Sequence, residues 1–160
     1  MIWTSLTFAG AVYSIKLKQR ITQLENILLM LKEMKIEIEY LNTPVCEMIY
    51  KMKSKEYFSR LGFLDVCCTA VGDGSDFPCA WSNAVKNCCH NYKREETDKL
   101  LHLGANLGTS NLENQINIID IHIGYFENYL TKAKITQQKY GNTVLFVSML
   151  TGCMIFIMVI

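Results

Sequence analysis

Residues 110–133 read SNLENQINIIDIHIGYFENYLTKA, and their periodicity decides the fold. Leu112, Ile116, Ile119, Ile123, Phe126, Leu130 and Ala133 step by four and three residues in alternation, which lays one apolar stripe along a helix. A stripe of that length has to be covered, by other helices of the chain or by a second copy. Ser110 and Glu113 stand in front of it as a capping box, in which each side chain accepts the other residue's backbone amide. His122 lies on the line of Gln115, Ile119 and Phe126 and reads as a hydrogen-bonded histidine at the edge of the stripe. No breaker intervenes before Gly141, so the helix is expected to run almost straight on into the apolar segment beyond it. The residues leave open a bend or a true break there.

Beyond Gly141 lie residues 143–160, TVLFVSMLTGCMIFIMVI, eighteen residues without a charge. As a helix they extend roughly 27 Å, close to the hydrocarbon thickness of a bilayer, and they read as a C-terminal transmembrane helix. At the other end residues 2–15 are uncharged but only fourteen long and diluted by Thr4, Ser5, Thr7, Tyr13 and Ser14. They read as a short N-terminal membrane segment over 1–16. Their positive charges follow the apolar run, the reverse of a cleavable signal peptide. Lys16, Lys18 and Arg20 on one flank, and Lys132, Lys134 and Lys139 on the other, place the domain between them, 20–140, in the cytoplasm. Seven cysteines, an odd number of thiols, suit a reducing compartment.

Within that domain only Pro44 and Pro78 and a few glycines punctuate long helix-forming stretches. The first amphipathic helix runs over 20–41, with Ile21, Leu24, Leu28, Leu31 and Ile38 on its stripe and Ile27, Met34 and Leu41 widening it. Glu37 sits on the line of Met30, Met34 and Leu41, on the flank of the stripe, where a carboxylate is expected to reach sideways into water. Thr43 as cap and Pro44 at the first helical position start a second helix to about Lys53. Ser54 caps a third to about Val71, the turn at 72–75 closes it, and Pro78 opens a fourth to about His90 that carries Trp81 as a core anchor. The fifth, 94–107, turns Leu100, Leu101, Leu103 and Leu107 inward and closes at Gly108, the residue type suited to a left-handed turn. The quoted stretch is the sixth.

Chemistry is sparse. Sixteen basic against fifteen acidic residues give no broadly cationic surface for nucleic acid. Cys67, Cys68, Cys79, Cys88, Cys89 and His90 cluster in sequence, but adjacent cysteines on a helix point about 100 degrees apart, and their spacing is not that of a zinc site. Small buried thiols are the simpler reading, and a thiol-based or metal-based sensor is the rival one. His90, His102 and His122 share no motif, and no phosphate loop, nucleophile elbow or metalloprotease pair is present. No catalytic residue, metal or cofactor is assigned.

MKIEIEYLNTPVCEMI at 34–49, the pair Ala80 and Trp81, and LGTSNLENQ at 107–115 together resemble the stage III sporulation protein AB family, over essentially the whole chain. The chain departs from that pattern at Asn111, where the family has an acid after the serine, and at Val45, where it has leucine after Thr-Pro. The resemblance implies an antiparallel six-helix bundle, similar to the cytoplasmic domain of the platform protein of type II secretion and type IV pilus machines. It implies a place in the mother-cell membrane facing the forespore, within the channel complex, docked to the stage III sporulation AA ATPase. A general secretion or pilus platform is the alternative reading. Glu33, Glu37, Glu39 and Tyr40 on the first helix, with Asn111 and Gln115 at the start of the sixth, are the expected partner-facing residues.

Overall fold

The structure is a computed structural model that describes the backbone of residues 2–89, 92–108 and 111–159 and the side chains of residues 15–89, 92–108 and 111–140. Among the described residues it is all-helical, with six α-helices and no strand: α1 (Ile2–Leu41), α2 (Val45–Lys53), α3 (Gly62–Gly72), α4 (Phe77–Cys88), α5 (Arg94–Asn106) and α6 (Leu112–Val159). The chain divides into two compact units, one made of Met1–Thr22 with Leu130–Ile160, the other of Gln23–Tyr129. In the first, Ile21 and Ala133 are buried, and α6 passes through Gly141 and Asn142 without interruption. Apart from Ile15 and Lys16, which are exposed, the side chains of both expected membrane segments lie outside the described residues. Among those described, no helix is long and apolar enough to cross a membrane.

The second unit holds the core. On α1 the buried seam is Leu24, Ile27, Leu31, Met34 and Ile38, joined by Met30, while Leu28 is half-buried and Leu41 is exposed. The buried stripe is thus rotated slightly from the expected one, toward Ile27, Met30 and Met34 and away from Leu28. Lys35 Nζ reaches Asp120 at 2.7 Å and Lys32 Nζ reaches Glu127 at 2.9 Å, so α1 and α6 run antiparallel side by side here. α3 packs on α4, α4 on α5 and α2 on α3.

Trp81 is the anchor of that packing, fully buried between Phe63 and Phe77 at ring-centroid distances of 5.2 and 5.7 Å. Its indole N–H donates to the Leu100 carbonyl at 2.7 Å, which ties α4 to α5 and removes the cost of a buried donor. Gly104, one turn on, lies flat against the indole: a Cβ there would sit 2.0 Å from Trp81 Cδ1. The bulky residue on α4 thus requires the absent side chain on α5.

Three boundaries differ from expectation, each for a local reason. Residues 54–71 do not form one helix. Ser54 donates its hydroxyl to the Lys51 carbonyl at 2.7 Å, closing α2 instead of opening α3, and a single 3-10 turn, Glu56–Phe58, buries Phe58 before α3 begins at Gly62. Pro44 is the N-cap of α2, not its first residue, and has no side-chain acceptor to cap with, while the Thr43 hydroxyl is engaged by Glu37. α6 begins one residue late: Asn111 Oδ1 accepts the Asn114 amide at 3.1 Å and is the cap, while Ser110 lies outside the described residues. Glu113 is exposed on the first turn. Gly108 has φ +80°, the left-handed turn expected of it, although α5 itself stops at Asn106.

A candidate docking cleft at one end of the bundle

The end of α1 is closed by two bonds between the same two residues. Asn42 turns the chain with φ +49°, Thr43 donates its amide to the Glu37 carbonyl at 3.1 Å, and the Thr43 hydroxyl donates to Glu37 Oε2 at 2.8 Å. Lys51 of α2 adds its ammonium to the same carboxylate at 3.3 Å. These donors, the Thr43 hydroxyl foremost, hold the Glu37 carboxyl below its ordinary range. Glu37 thus does not reach sideways into water. It fixes the α1–α2 corner, with only 14% of its side chain exposed.

That corner forms one wall of a cleft of about 520 Å³ in the second unit. Asn42, Thr43, Pro44, Val45 and Cys46 supply this wall; Asp76, Phe77 and Pro78, the start of α4, supply another; Leu107, Gly108, Leu112 and Gln115 complete it from the α5–α6 connection. Ile38, Phe77 and Leu107 are buried residues of its lining, and Phe77 rests on Trp81, so the core anchor supports the cleft. The first turns of α2, α4 and α6 all contribute, and first-turn amides have no partner within their own helix. A small apolar lining edged by amides, one carboxylate at Asp76 and the carboxamides of Asn42 and Gln115 suits a protein segment that brings both an apolar side chain and hydrogen-bonding groups.

The expected partner-facing residues separate into three groups. Glu33 is taken up inside the unit, accepting from Lys55 Nζ and from the Tyr57 hydroxyl. Glu37 is taken up as described, and Asn111 caps α6. Glu39 and Tyr40 stand exposed on the last turn of α1, with Tyr40 71% accessible, and Gln115 lines the cleft. Asp76, Phe77 and Pro78 were not legible as site residues. Pro78 signalled a helix start, but nothing local says that this start meets the Thr-Pro corner.

The described thiols are divided between core and surface. Cys67 and Cys89 are buried and pushed up to about 12 by that burial, which leaves little thiolate at neutral pH, whereas Cys46, Cys79 and Cys88 are exposed. Among the described residues no group of three or more His, Cys, Asp or Glu side chains is placed to hold a metal ion, and His90 lies outside them.

The molecule is thus an all-helical protein whose connecting loops gather into a cleft at one end of a packed bundle. The stage III sporulation protein AB family model matches residues 1–160, the full length, and the chain belongs to that family. Comparison with curated proteins and with solved structures gave no match.

Proposed function

We propose that this stage III sporulation protein is a non-catalytic platform: its helical unit faces the mother-cell cytoplasm, apolar segments at both ends hold it in the membrane facing the forespore, and the cleft docks the stage III sporulation AA ATPase of the channel complex. One observation carries the reading. The Thr-Pro corner and the Leu-Gly to Gln segment, far apart in sequence and both part of the family likeness, meet in a single cleft, with the Ala80–Trp81 pair buried beneath it. Exposed Glu39 and Tyr40 extend that end of the unit, and tyrosine is among the residue types enriched at protein contacts. Uncharged runs with basic flanks toward the middle of the chain support the membrane and its sidedness.

Two experiments test it. Deletion in a sporulating host is expected to stop spore development after engulfment while vegetative growth stays normal; an undiminished spore yield overturns the sporulation role. A photoreactive side chain at Tyr40 or Gln115 in sporulating cells is expected to capture the ATPase. Capture from exposed positions outside the cleft, such as Val66, with none from Tyr40 or Gln115, moves the dock away from the cleft.

A further inference from the structure

Charge divides this chain as its fold does. The first unit, Met1–Thr22 with Leu130–Ile160, holds Lys16, Lys18, Arg20, Lys132, Lys134 and Lys139 and not one acidic residue. The ten other basic residues share the second unit with all fifteen acidic ones. The five lysines of the first unit are exposed and Arg20 is half-buried. Among the described residues no carboxylate pairs with Lys16, Lys18 or Lys132. Orientation in a membrane asks only for the basic residues, since acidic ones weigh little in it. The absence of acid calls for a surface of negative charge.

The level of these residues on their helices selects that surface. α1 carries residues 2–15 straight onto Lys16, and α6 passes without interruption from Lys139 through Gly141 into the second uncharged run. At about 1.5 Å per residue, Lys16, Lys18 and Lys139 lie within about 6 Å of the ends of the two runs. The headgroup layer on each side of a bilayer is about 5–7 Å deep, so all three fall inside it. Lys132 and Lys134 stand about 13–17 Å from the run on α6, roughly a Debye length beyond the headgroups. Tyr140, exposed next to Lys139, is of a type that settles at membrane interfaces. An acidic protein segment would not require cations from two helices at one depth, directly continuous with uncharged helix; lipid phosphates do.

We infer that these basic turns bind the headgroups of anionic lipids, phosphodiesters with one net negative charge, and so seat the chain in an anionic leaflet. The inference rests on the membrane reading proposed above and adds the lipid chemistry to it. A lysine ammonium is a compact charge with three donors on a flexible stem, which suits phosphate oxygens of mobile lipids. Each basic residue near such a surface strengthens binding about fivefold, and the effect fades within a Debye length, so Lys16 and Lys18 contribute more than Lys132.

The test takes the full chain in detergent and titrates it with phosphatidylglycerol and, separately, with phosphatidylcholine of the same acyl chains, counting bound lipid by native mass spectrometry. Phosphatidylglycerol is expected to bind more than about tenfold tighter. Lys16→Gln with Lys18→Gln removes two exposed charges that have no carboxylate partner, so circular dichroism should be unchanged while the affinity for phosphatidylglycerol falls more than about tenfold. Lys16→Arg with Lys18→Arg should keep that affinity, as should Arg60→Gln with Lys86→Gln, which removes two exposed charges from the second unit. Equal affinity for the two lipids, an equal loss in the Arg60 and Lys86 variant, or displacement of phosphatidylglycerol by millimolar inorganic phosphate would each overturn the inference. A chain that inserts into vesicles of phosphatidylcholine yet shows no preference for phosphatidylglycerol sinks the lipid site and leaves the platform reading standing. A chain that inserts into vesicles of neither lipid overturns both.

Discussion

Helix α5 makes two contacts of opposite character. Toward α4 it offers a bare backbone at Gly104 to the Trp81 indole, a contact of shape with one hydrogen bond. Toward α6 it offers polar rings: His102 stacks on His122 with centroids 5.4 Å apart, and Lys99 covers Tyr125. His122 is buried, its Nδ1 lies 2.7 Å from the Ile118 carbonyl, and its Nε2 has no hydrogen-bond partner. The first contact is insensitive to pH and intolerant of volume. The second depends on keeping a buried imidazole neutral. One helix thus shows two ways of holding a small bundle together, and they fail under different conditions.

The largest effect is expected where shape rules. Gly104→Ala places a methyl carbon inside the indole, and neither backbone nor ring can yield without losing the bond to Leu100. A loss of at least about 3 kcal/mol in denaturant unfolding is expected, the upper end of overpacking costs. Trp81→Leu on top of it should recover part of that loss, because the clash belongs to the pair. Additive costs for the two substitutions would show that the contact is not the tight one described.

This contact also marks how far the sequence can be read. Six helices, their approximate bounds and Trp81 as an anchor follow from spacing and breakers, because those signals lie within a few residues of each other. Gly104 gave no such signal, since its meaning lies entirely in what packs on it from α4. The same holds for α6. The repeat correctly announces a long packed helix, but Leu112 is exposed and Ile116, Ile123 and Leu130 are half-buried, while His122 joins Ile119 and Phe126 in the buried line. The buried face is rotated toward α5 because His102 gives His122 a stacking partner, a long-range fact. At the cleft, the Thr-Pro and Leu-Gly segments stood out, but Glu37 looked solvated because its acceptor role depends on a hydroxyl beyond the helix end and an ammonium on the next helix.

The α5–α6 side should fail with acid. Burial, helped by the positive charge of Lys99 and the neighbouring His102, lowers the affinity of His122 for a proton below its ordinary value near 6.5. The unfolded chain therefore takes up the proton first, and stability is full above pH 6.5 and lost as pH falls below it. The slope is at most about 1.4 kcal/mol per pH unit for one such group. His122→Phe should flatten this part of the profile, leaving the loss below pH 4.5 that Glu37 contributes as a carboxylate with lowered affinity for protons. An unchanged profile between pH 6.5 and 5 would assign the acid sensitivity to another group.

The smallest effect separates the two parts of that polar contact. Lys99→Met keeps the apolar stem over Tyr125 but removes its charge, so at pH 7.5 it should cost only about 0.5–1 kcal/mol, the worth of an exposed cation–π pair. The same substitution takes a positive charge away from His122, which raises the proton affinity of the buried ring toward its unfolded value. The variant should therefore lose less stability than wild type between pH 7.5 and 5, and its deficit should shrink as the solution is acidified. A deficit that stays constant would mean that Lys99 acts on Tyr125 alone; one that grows would mean that the ammonium protects the histidine pair instead of burdening it.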